Sequence, residues 1–597
     1  MSLSAPHETL IRHRSLSHPR PSPTHVFAYG TAGFRCALYA SMCVLPITTE
    51  SSAGMRTRRD VFRIPPPHLW DGLGCLTASA DLLESVVFRV GLLAALRSKK
   101  LGKTVGVMIT ASHNVETDNG VKVVDPHGEM LTSSWEAHAT TLANARNEEQ
   151  LYKALLDLIS SEKIDFSSSG HVVFGYDTRP SCPALVKALH DGLDSMVVRE
   201  TNAGLVTTPQ LHYLVRCYTT EGTKEAYGEP TLDGYYHKLA KAYATLAVGW
   251  HSTGRPLLPA LTVDCANGVG SQAVSSFLPI VTPSILPLIL VKTATTTRGA
   301  LNHDCGADYV KIRQTSPPGI QMIPGQRYCS FDGDADRIVY YFADGEGTFH
   351  LLDGDKIATL AAKFLIDLVD RAGLQGGVKV GVVQTAYANG ASTEYLTEIL
   401  KVPVTCTPTG VKYLHHAAES YDIGVYFEAN GHGTVLFSPR CLSLIEASAI
   451  PSTASEASKN LFALTQLINQ TVGDALSDLL LVETVLLHLQ WSPYDWDASY
   501  TDLPNRLVKV LVQDRTIFET TDAERKVVKP EGLQAKVDEV VGKVEKGRSF
   551  VRPSGTEDCV RVYAEAKTRK DADDLAQAIA SLVFDQYGKG PKPALFK

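Results

Sequence analysis

A hydroxyl, an imidazole and an amide stand together in Thr110-Ala111-Ser112-His113-Asn114, directly after the apolar run Gly106-Val107-Met108-Ile109. The end of a buried strand is where α/β enzymes keep their chemistry, so Ser112 is a candidate nucleophile. The pentapeptide by itself is short enough to arise by chance. Three further strings downstream supply the parts that a phosphorylated serine would need.

The first of these, Ser330-Phe331-Asp332-Gly333-Asp334-Ala335-Asp336-Arg337, sets carboxylates at alternate positions, where they can converge on one hard cation. An EF-hand loop opens the same way. Its sixth position would here be Arg337 in place of Gly and its twelfth Ala343 in place of Glu, which rules that reading out. A magnesium site with a ligand position left for a phosphate oxygen and a solvated acidic turn both remain. In Phe427-Glu428-Ala429-Asn430-Gly431-His432-Gly433 a carboxylate can accept from two vicinal hydroxyls of a sugar; a simple Gly-rich turn is the alternative. Arg552-Pro553-Ser554-Gly555-Thr556 has the guanidinium, hydroxyls and exposed amides of a phosphate cradle, with Arg561 at the start of the next strand able to turn toward the same anion. An ordinary loop would read similarly. Lys122, in Asp118-Asn119-Gly120-Val121-Lys122, and Arg35, closing Tyr29-Gly30-Thr31-Ala32-Gly33-Phe34-Arg35, are candidate proton-transfer or charge-neutralising groups, although a surface cation is the commoner fate.

Elements that would position these strings are visible in the pattern. Residues 106–114, 261–270 and 380–392 share one plan, a β-branched run followed by a loop of small and amide residues, which predicts α/β domains with functional loops at strand ends. A helix is predicted ahead of the serine string: Ser79 caps it, Asp81 lies in its first turn, Leu82, Leu83, Val86, Val87, Val90 and Leu93 keep helical spacing, and Arg97, Lys99 and Lys100 complement its C-terminal dipole. The chain changes character at 447–458, rich in Ala and Ser, and again at 491–505, which predicts a linker. Beyond it a strand at 507–512, a helix at 531–544, a strand at 560–565 and a helix at 570–587 predict an α+β unit of about 100 residues.

The chain has 597 residues, which suggests about four domains. With 44% hydrophobic and 20% charged residues it reads as soluble and globular, and a net charge of -7 argues against general nucleic-acid binding. Its 11 cysteines show no CxxC pair, which predicts neither a disulfide framework nor structural zinc and favours a reducing, cytoplasmic setting. The most apolar stretch, 277–291, is broken by Pro279, Pro283 and Pro287 and is too short for a bilayer, so no membrane association is predicted. Residues 1–24 read as a ragged extension without a convincing amphipathic helix.

In this order the strings resemble the α-D-phosphohexomutase superfamily, from about Tyr29 to the C-terminus. Thr-Ala-Ser-His-Asn, Ser-Phe-Asp-Gly-Asp-Ala-Asp-Arg, Glu-Ala-Asn-Gly-His-Gly and Cys305-Gly306-Ala307-Asp308-Tyr309-Val310-Lys311 look like its acetylglucosamine branch. The resemblance implies a four-domain, heart-shaped enzyme: three related α/β domains and a C-terminal α+β domain around a central cleft. The corresponding boundaries are 25–215, 216–343, 344–490 and 506–597, with 491–505 as linker. It implies an isomerase interconverting N-acetylglucosamine 6-phosphate and 1-phosphate through a phosphoserine and a 1,6-bisphosphate, for UDP-N-acetylglucosamine synthesis. By similarity Ser112 is the phosphoserine and binds Mg²⁺ with Asp332, Asp334 and Asp336. Glu428, Ala429 and Asn430 hold the sugar, and Arg552, Pro553, Ser554, Gly555, Thr556 and Arg561 grip the idle phosphate. Lys122, or in its place Arg35 or His113, would take the hydroxyl proton. A phosphoserine carries about -1.5 to -2 charges, so three adjacent carboxylates require a divalent cation between. The partners implied are sugar phosphates, for a monomer or weak homo-oligomer. A glucose- or mannose-phosphate mutase of the same fold and a non-catalytic sugar-phosphate-binding homologue are the competing readings.

Two departures stand out. Val115 occupies a position usually held by proline, which predicts a softer serine loop. Residues 36–79, including Pro65-Pro66-Pro67, separate Arg35 from the following helix and read as a disordered insertion.

Overall fold

Three sheets built on one plan carry the first three strings, and a smaller unit carries the fourth. The computed structural model describes residues 75–251, 257–281, 285–554 and 558–593. Arg35, Gly555, Thr556, the 1–24 extension and most of the expected insertion lie outside the described residues.

The first sheet contains β1 (Cys75–Ser79), β2 (Thr104–Ile109), β3 (Asp118–Val124), β4 (His171–Tyr176) and β5 (Arg199–Leu205), in the order β1-β3-β2-β4-β5. Strands β2, β4 and β5 are parallel, and β3 runs antiparallel between β1 and β2. Residues 75–79, expected in the insertion, are thus an edge strand paired with β3, because the extended Cys-Leu-Thr-Ala-Ser run finds open backbone groups there. Helix α1 (Glu84–Leu101) covers this sheet together with α2 (Cys182–Ser195). It starts later than expected: Ser79 bonds Asp81 ahead of a 3₁₀ turn and does not cap α1. Its terminal cations reach neighbouring chain instead of their own last turn. Lys99 Nζ donates to the carbonyls of Phe166 and Ser168, and Arg97 forks onto Asp125. Helix α3 (Thr208–Thr220) opens with a full capping box between Thr207 and Gln210.

After α4 (Leu232–His251), the second sheet is β10-β9-β8-β6-β7, from β6 (Leu261–Asp264), β7 (Leu288–Val291), β8 (Tyr328–Phe331), β9 (Ile338–Ala343) and β10 (Phe349–Leu352). The third is β12-β11-β13-β14, preceded by α5 (Gly354–Arg371) and built from β11 (Val380–Thr385), β12 (Val404–Thr407), β13 (Ile423–Phe427) and β14 (Gly433–Phe437), with α6 (Val411–Ala418) between β12 and β13. Each sheet has three parallel strands and an antiparallel partner turned back beside one of them. The chemical strings occupy the same place in all three: the connection from a parallel strand to its antiparallel neighbour, β2 to β3, β8 to β9 and β13 to β14. The counterparts of 106–114 are therefore 328–337 and 423–432. Residues 261–270 and 380–392 look alike in sequence because they too leave a parallel strand, but they lead into helices and carry none of these strings. Helix α7 (Ala475–Leu489) is buried on every face from Ala475 to Leu487, which is why its sequence lacks a polar stripe.

The expected linker is anchored. Trp496 is fully buried and donates from Nε1 to the Lys356 carbonyl, while Lys356 Nζ donates to the carbonyls of Asp497 and Tyr500. Its polar, aromatic composition reflects this docking onto α5. The C-terminal unit has a three-stranded sheet, β15 (Asn505–Leu511), β19 (Cys559–Glu565) and β18 (Arg548–Pro553), and a separate hairpin of β16 (Glu519–Thr521) and β17 (Lys526–Lys529). Helices α8 (Leu533–Val541) and α9 (Arg569–Tyr587) cover it with a core of its own. The hairpin and β18 had no counterpart in the sequence reading. Among the described residues no helix is long and apolar enough to cross a membrane.

Candidate active site

Ser112 sits where β2 breaks off, and its backbone is left-handed, with φ +48°. For a non-glycine residue this costs of the order of 1–3 kcal/mol, so something must enforce it. The enforcing groups are two side chains from distant sequence. Arg179 is buried beside Asp177 and its guanidinium donates to the carbonyls of Ser112, Asn114, Val115 and Asp118 at 3.0, 2.9, 2.5 and 2.8 Å. Asn302, from the second sheet's side, donates from Nδ2 to the carbonyls of Ser112 and Asn114 at 2.8 and 2.9 Å. The rigidity expected of a proline is supplied here by hydrogen bonds, so Val115 does not leave the loop soft.

The hydroxyl held in this way points at the acidic string. Ser112 Oγ donates to Asp332 Oδ2 at 2.6 Å. Carboxylate oxygens of Asp332, Asp334 and Asp336 lie within 4.8 Å of one another, and all three side chains are buried. Lys122, projecting from β3, places Nζ 2.9 Å from Asp334 and 2.8 Å from Asp336. Thr208, at the start of α3, donates to Asp334, and His432 Nδ1 is 3.3 Å from Asp336 Oδ1. Burial pushes the Asp332 carboxyl well above the usual range, with Asp336 and Asp334 adding to the effect. Burial and Asp336 would also raise Asp334, but Lys122 and the Thr208 hydroxyl bring it below its ordinary value. Against burial, Lys122 and His432 hold Asp336 well below. Lys122 is itself raised, burial being overcome by Asp334 and Asp336. Paired with two carboxylates, its ammonium is suited to neutralising charge in the site.

The sugar string is fastened to the acidic one. Gly431 has φ +88°, and a Cβ there would lie 1.9 Å from the Ile338 carbonyl, so only glycine fits. Ile338 N donates to Gly431 O at 3.2 Å. Inside the turn Asn430 Nδ2 donates to Glu428 at 3.3 Å and accepts at Oδ1 from His432 N.

These parts surround one cavity of about 360 Å³, whose lining includes Ser112, His113, Lys122, Asp336, Glu428 and His432. Asp332 and Asp334 lie against it through their contacts with Ser112 and Lys122. Asn430 reaches it through Glu428, and Ala429 only links the two. Arg552, Pro553, Ser554 and Arg561 belong to the C-terminal unit and are not among its lining residues. There Arg552 faces Arg561 directly across β18 and β19, and Arg515 donates to the Ser554 carbonyl. Two guanidinium groups opposed on one face repel unless an anion lies between them. His113 Nε2 is 3.5 Å from Asp308, which also pairs with Arg337, so the cysteine-containing string braces the acidic loop.

Reasoning from sequence missed Arg179, Asn302 and Thr208, and gave no role to Arg337 or His432. The last two stood inside strings already marked as chemical. The first three left no local signal.

The residues fit a divalent cation: Asp334 Oδ1 is buried without a hydrogen-bond partner, and three oxygen donors match the preference of a hard metal.

Comparison with known proteins agrees with this geometry. Residues 92–150 and 132–223 match the phosphoglucomutase/phosphomannomutase α/β/α domain I, and 507–582 match the C-terminal domain of the same group. The fold is that of a phosphohexomutase. Residues 228–339 and 353–491 match phosphoacetylglucosamine mutase AMG1, domains II and III. The phosphoacetylglucosamine mutase of Sus scrofa is 50% identical over 527 residues, covering 87% of this chain and 95% of that protein. That of Candida albicans is 45% identical over 580 residues, covering 95% and 98%. Among solved structures, Aspergillus fumigatus N-acetylphosphoglucosamine mutase in complex with GlcNAc-6P and magnesium superposes with a TM-score of 0.85 at 48% identity, covering 92% of this chain and 99% of that one. A complex of the Aspergillus enzyme with glucose 1,6-bisphosphate gives 0.84 at 47% identity, covering 94% and 100%. The chain belongs to the phosphoacetylglucosamine mutase family.

Proposed function

We propose that this chain interconverts N-acetylglucosamine 6-phosphate and N-acetylglucosamine 1-phosphate by way of a phosphoserine at Ser112 and a sugar 1,6-bisphosphate. The observation that carries the reading is the placement of Ser112 Oγ, 2.6 Å from Asp332 on the wall of the cavity that also holds Glu428. A Mg²⁺ held by Asp332, Asp334, Asp336 and a phosphoryl oxygen on Ser112 supplies charge neutralisation as the phosphoryl group moves.

The chain's own groups do the remainder. Lys122 stays protonated and offsets the charge of Asp334 and Asp336. Glu428, steadied by Asn430, accepts hydrogen bonds from sugar hydroxyls and orients the ring so that its free hydroxyl faces Ser112. His432 is the group placed to take that hydroxyl's proton. Its Nδ1 is directed at Asp336, its Nε2 is buried without a hydrogen-bond partner, and the residue lines the cavity. Arg552 and Arg561 form the cradle for the phosphate that is not reacting. Because that cradle reads a dianion and little else, it accepts either end of the bisphosphate when the intermediate turns over. Gly555 and Thr556 complete it by similarity, and Arg35 keeps its reading as a candidate proton-transfer or charge-neutralising group.

The test is a coupled assay of N-acetylglucosamine 6-phosphate with catalytic bisphosphate, for wild type and Ser112→Ala, with intact mass measured on both. We expect turnover and one added phosphate in wild type, and neither in the variant. Equal turnover in the two would refute the mechanism.

A further inference from the structure

Arg552 of the opposed pair already has an anion beside it, and it comes from the protein. Glu524 lies in the turn joining β16 and β17, and its Oε1 is 3.2 Å from Arg552 Nε. Its other oxygen, Oε2, accepts from Thr409 N at 2.9 Å and from Thr409 Oγ1 at 2.6 Å. Thr409 belongs to the third sheet's side of the molecule, immediately ahead of Gly410, Val411, Lys412 and Tyr413, all of which line the cavity containing Ser112. One carboxylate thus neutralises the phosphate-gripping arginine and ties the C-terminal domain to the rim of the active-site cavity. The turn that presents it is unusual: Asp522, Ala523 and Glu524 are all left-handed, with φ of +52°, +54° and +68°. Tyr387, whose ring lies under Arg552, completes the cluster from the third sheet.

The quality of the contact matters. Arg552 Nε is buried and makes no hydrogen bond of good geometry, so its link to Glu524 is an ion pair at an imperfect angle. A phosphate brings about two charges and three oxygens that can meet a guanidinium fork squarely, a better partner than a single carboxylate. The hydrogen bonds to Thr409, by contrast, are short and well formed, so the carboxylate stays near the site when the arginine is taken from it.

We propose that Glu524 is an internal stand-in for the substrate's phosphate: held at Thr409, it occupies Arg552 until an incoming phosphate displaces it from the arginine. This rests on the mutase reading and adds a positioning residue to it. Glu524 sets the affinity for the sugar phosphate by competition, and when displaced it gives up Arg552 while staying held at Thr409. The same competition returns the carboxylate to Arg552 as product leaves, which limits how tightly product is held.

The experiment uses the full chain with magnesium. Calorimetric binding of N-acetylglucosamine 6-phosphate is measured in the Ser112→Ala background, alone and with Glu524→Gln, Thr409→Val, Arg552→Ala, and Arg552→Ala combined with Glu524→Gln. Turnover is measured in the Ser112 enzyme. Glu524→Gln should tighten binding about fivefold, the worth of a partly exposed ion pair, and raise kcat/KM by a similar factor. Thr409→Val should act in the same direction by about twofold and carries the test if Glu524→Gln does not fold. With Arg552 already removed, Glu524→Gln should change binding by less than twofold. Unchanged or weaker binding in Glu524→Gln, or a tightening that persists without Arg552, would overturn the proposal. A wild type that fails to turn over would instead sink the mutase reading, so the two failures are distinguishable.

Discussion

Removing Arg179 tests whether the serine loop is shaped by its own sequence or by the clamp beneath it. The side chain is 1% exposed, its Nε is 3.0 Å from Asp177, and its remaining nitrogens reach the carbonyls of Ser112, Asn114, Val115 and Asp118. Arg179→Ala leaves Asp177 buried without its cation, a change that costs about 3–5 kcal/mol. Asn302 still holds the carbonyls of Ser112 and Asn114, whereas those of Val115 and Asp118 lose their Arg179 donor. At roughly 2–4 °C per kcal/mol, the melting temperature of the first domain should fall by about 10 °C. The loop's left-handed turn at Ser112 then relaxes, and a shift of about 1 Å at a nucleophile costs about a hundredfold in rate. We expect kcat to fall by that factor, with KM changed far less because Glu428 and the phosphate cradle are untouched. Arg179→Lys keeps a charge beside Asp177 but lacks the planar fork, so it should recover about half of the lost stability and little of the lost rate. Scanning fluorimetry and initial-rate kinetics on the three proteins decide the matter. A normal kcat in an Arg179→Ala protein that melts about 10 °C low would refute the claim that the clamp positions the nucleophile.

Replacing Gly431 by Ala puts a side chain at φ +88° and 1.9 Å from the Ile338 carbonyl, so the sugar loop must move; KM for the sugar phosphate should rise more than tenfold while Ser112 still accepts phosphate. Chelation should abolish turnover, and added Mg²⁺ should restore it, since the buried carboxylates of Asp332, Asp334 and Asp336 leave Asp334 Oδ1 without another partner. His212 is held down to about 4 by burial, although the Gly128 carbonyl it bonds favours its charged form. Above its unfolded value near 6.5 the ring is neutral in both states and contributes no pH dependence. As pH falls from about 6.5 to 4 only the unfolded chain gains the proton, so stability drops by up to about 3 kcal/mol. Urea unfolding of wild type and His212→Gln across that range should show this slope in wild type and lose it in the variant; parallel curves would contradict it.

Much of this molecule was legible in its sequence, and the limits have physical causes. Alternating or continuous apolar runs marked β2, β6 and β11, and the last helix was placed within a residue of where it lies, because those signals are local. The acidic triplet was legible for the same reason: its ligands share one turn. Arg179 and Asn302 were not, since they recognise backbone carbonyls of residues 61–67 and 188–190 positions away, and a carbonyl leaves no trace in sequence. Lys122 was found but its ion pairs were not, because Asp334 and Asp336 are brought to it by the fold from more than 200 residues away. At 491–505, between the matched segments 353–491 and 507–582, the docking was not legible for a related reason. Proline, aspartate and aromatic residues suit a loose connection, and they equally suit a loop whose Trp496 is buried against α5.

The hydrogen bond between Ile338 and Gly431 has a consequence for the geometry of the whole reaction. It fuses the turn bearing Asp332, Asp334 and Asp336 to the turn bearing Glu428, and the contact between His432 and Asp336 doubles the joint. Two loops from different domains therefore behave as a single rigid gauge, with the metal-binding end and the sugar-gripping end a constant distance apart. A sugar seated at one end always presents its hydroxyl at the same depth from the other, whichever of its two phosphates is leading. The tolerance needed to receive the molecule both ways round must then reside on the far side of the cleft, in the domain that carries Arg552.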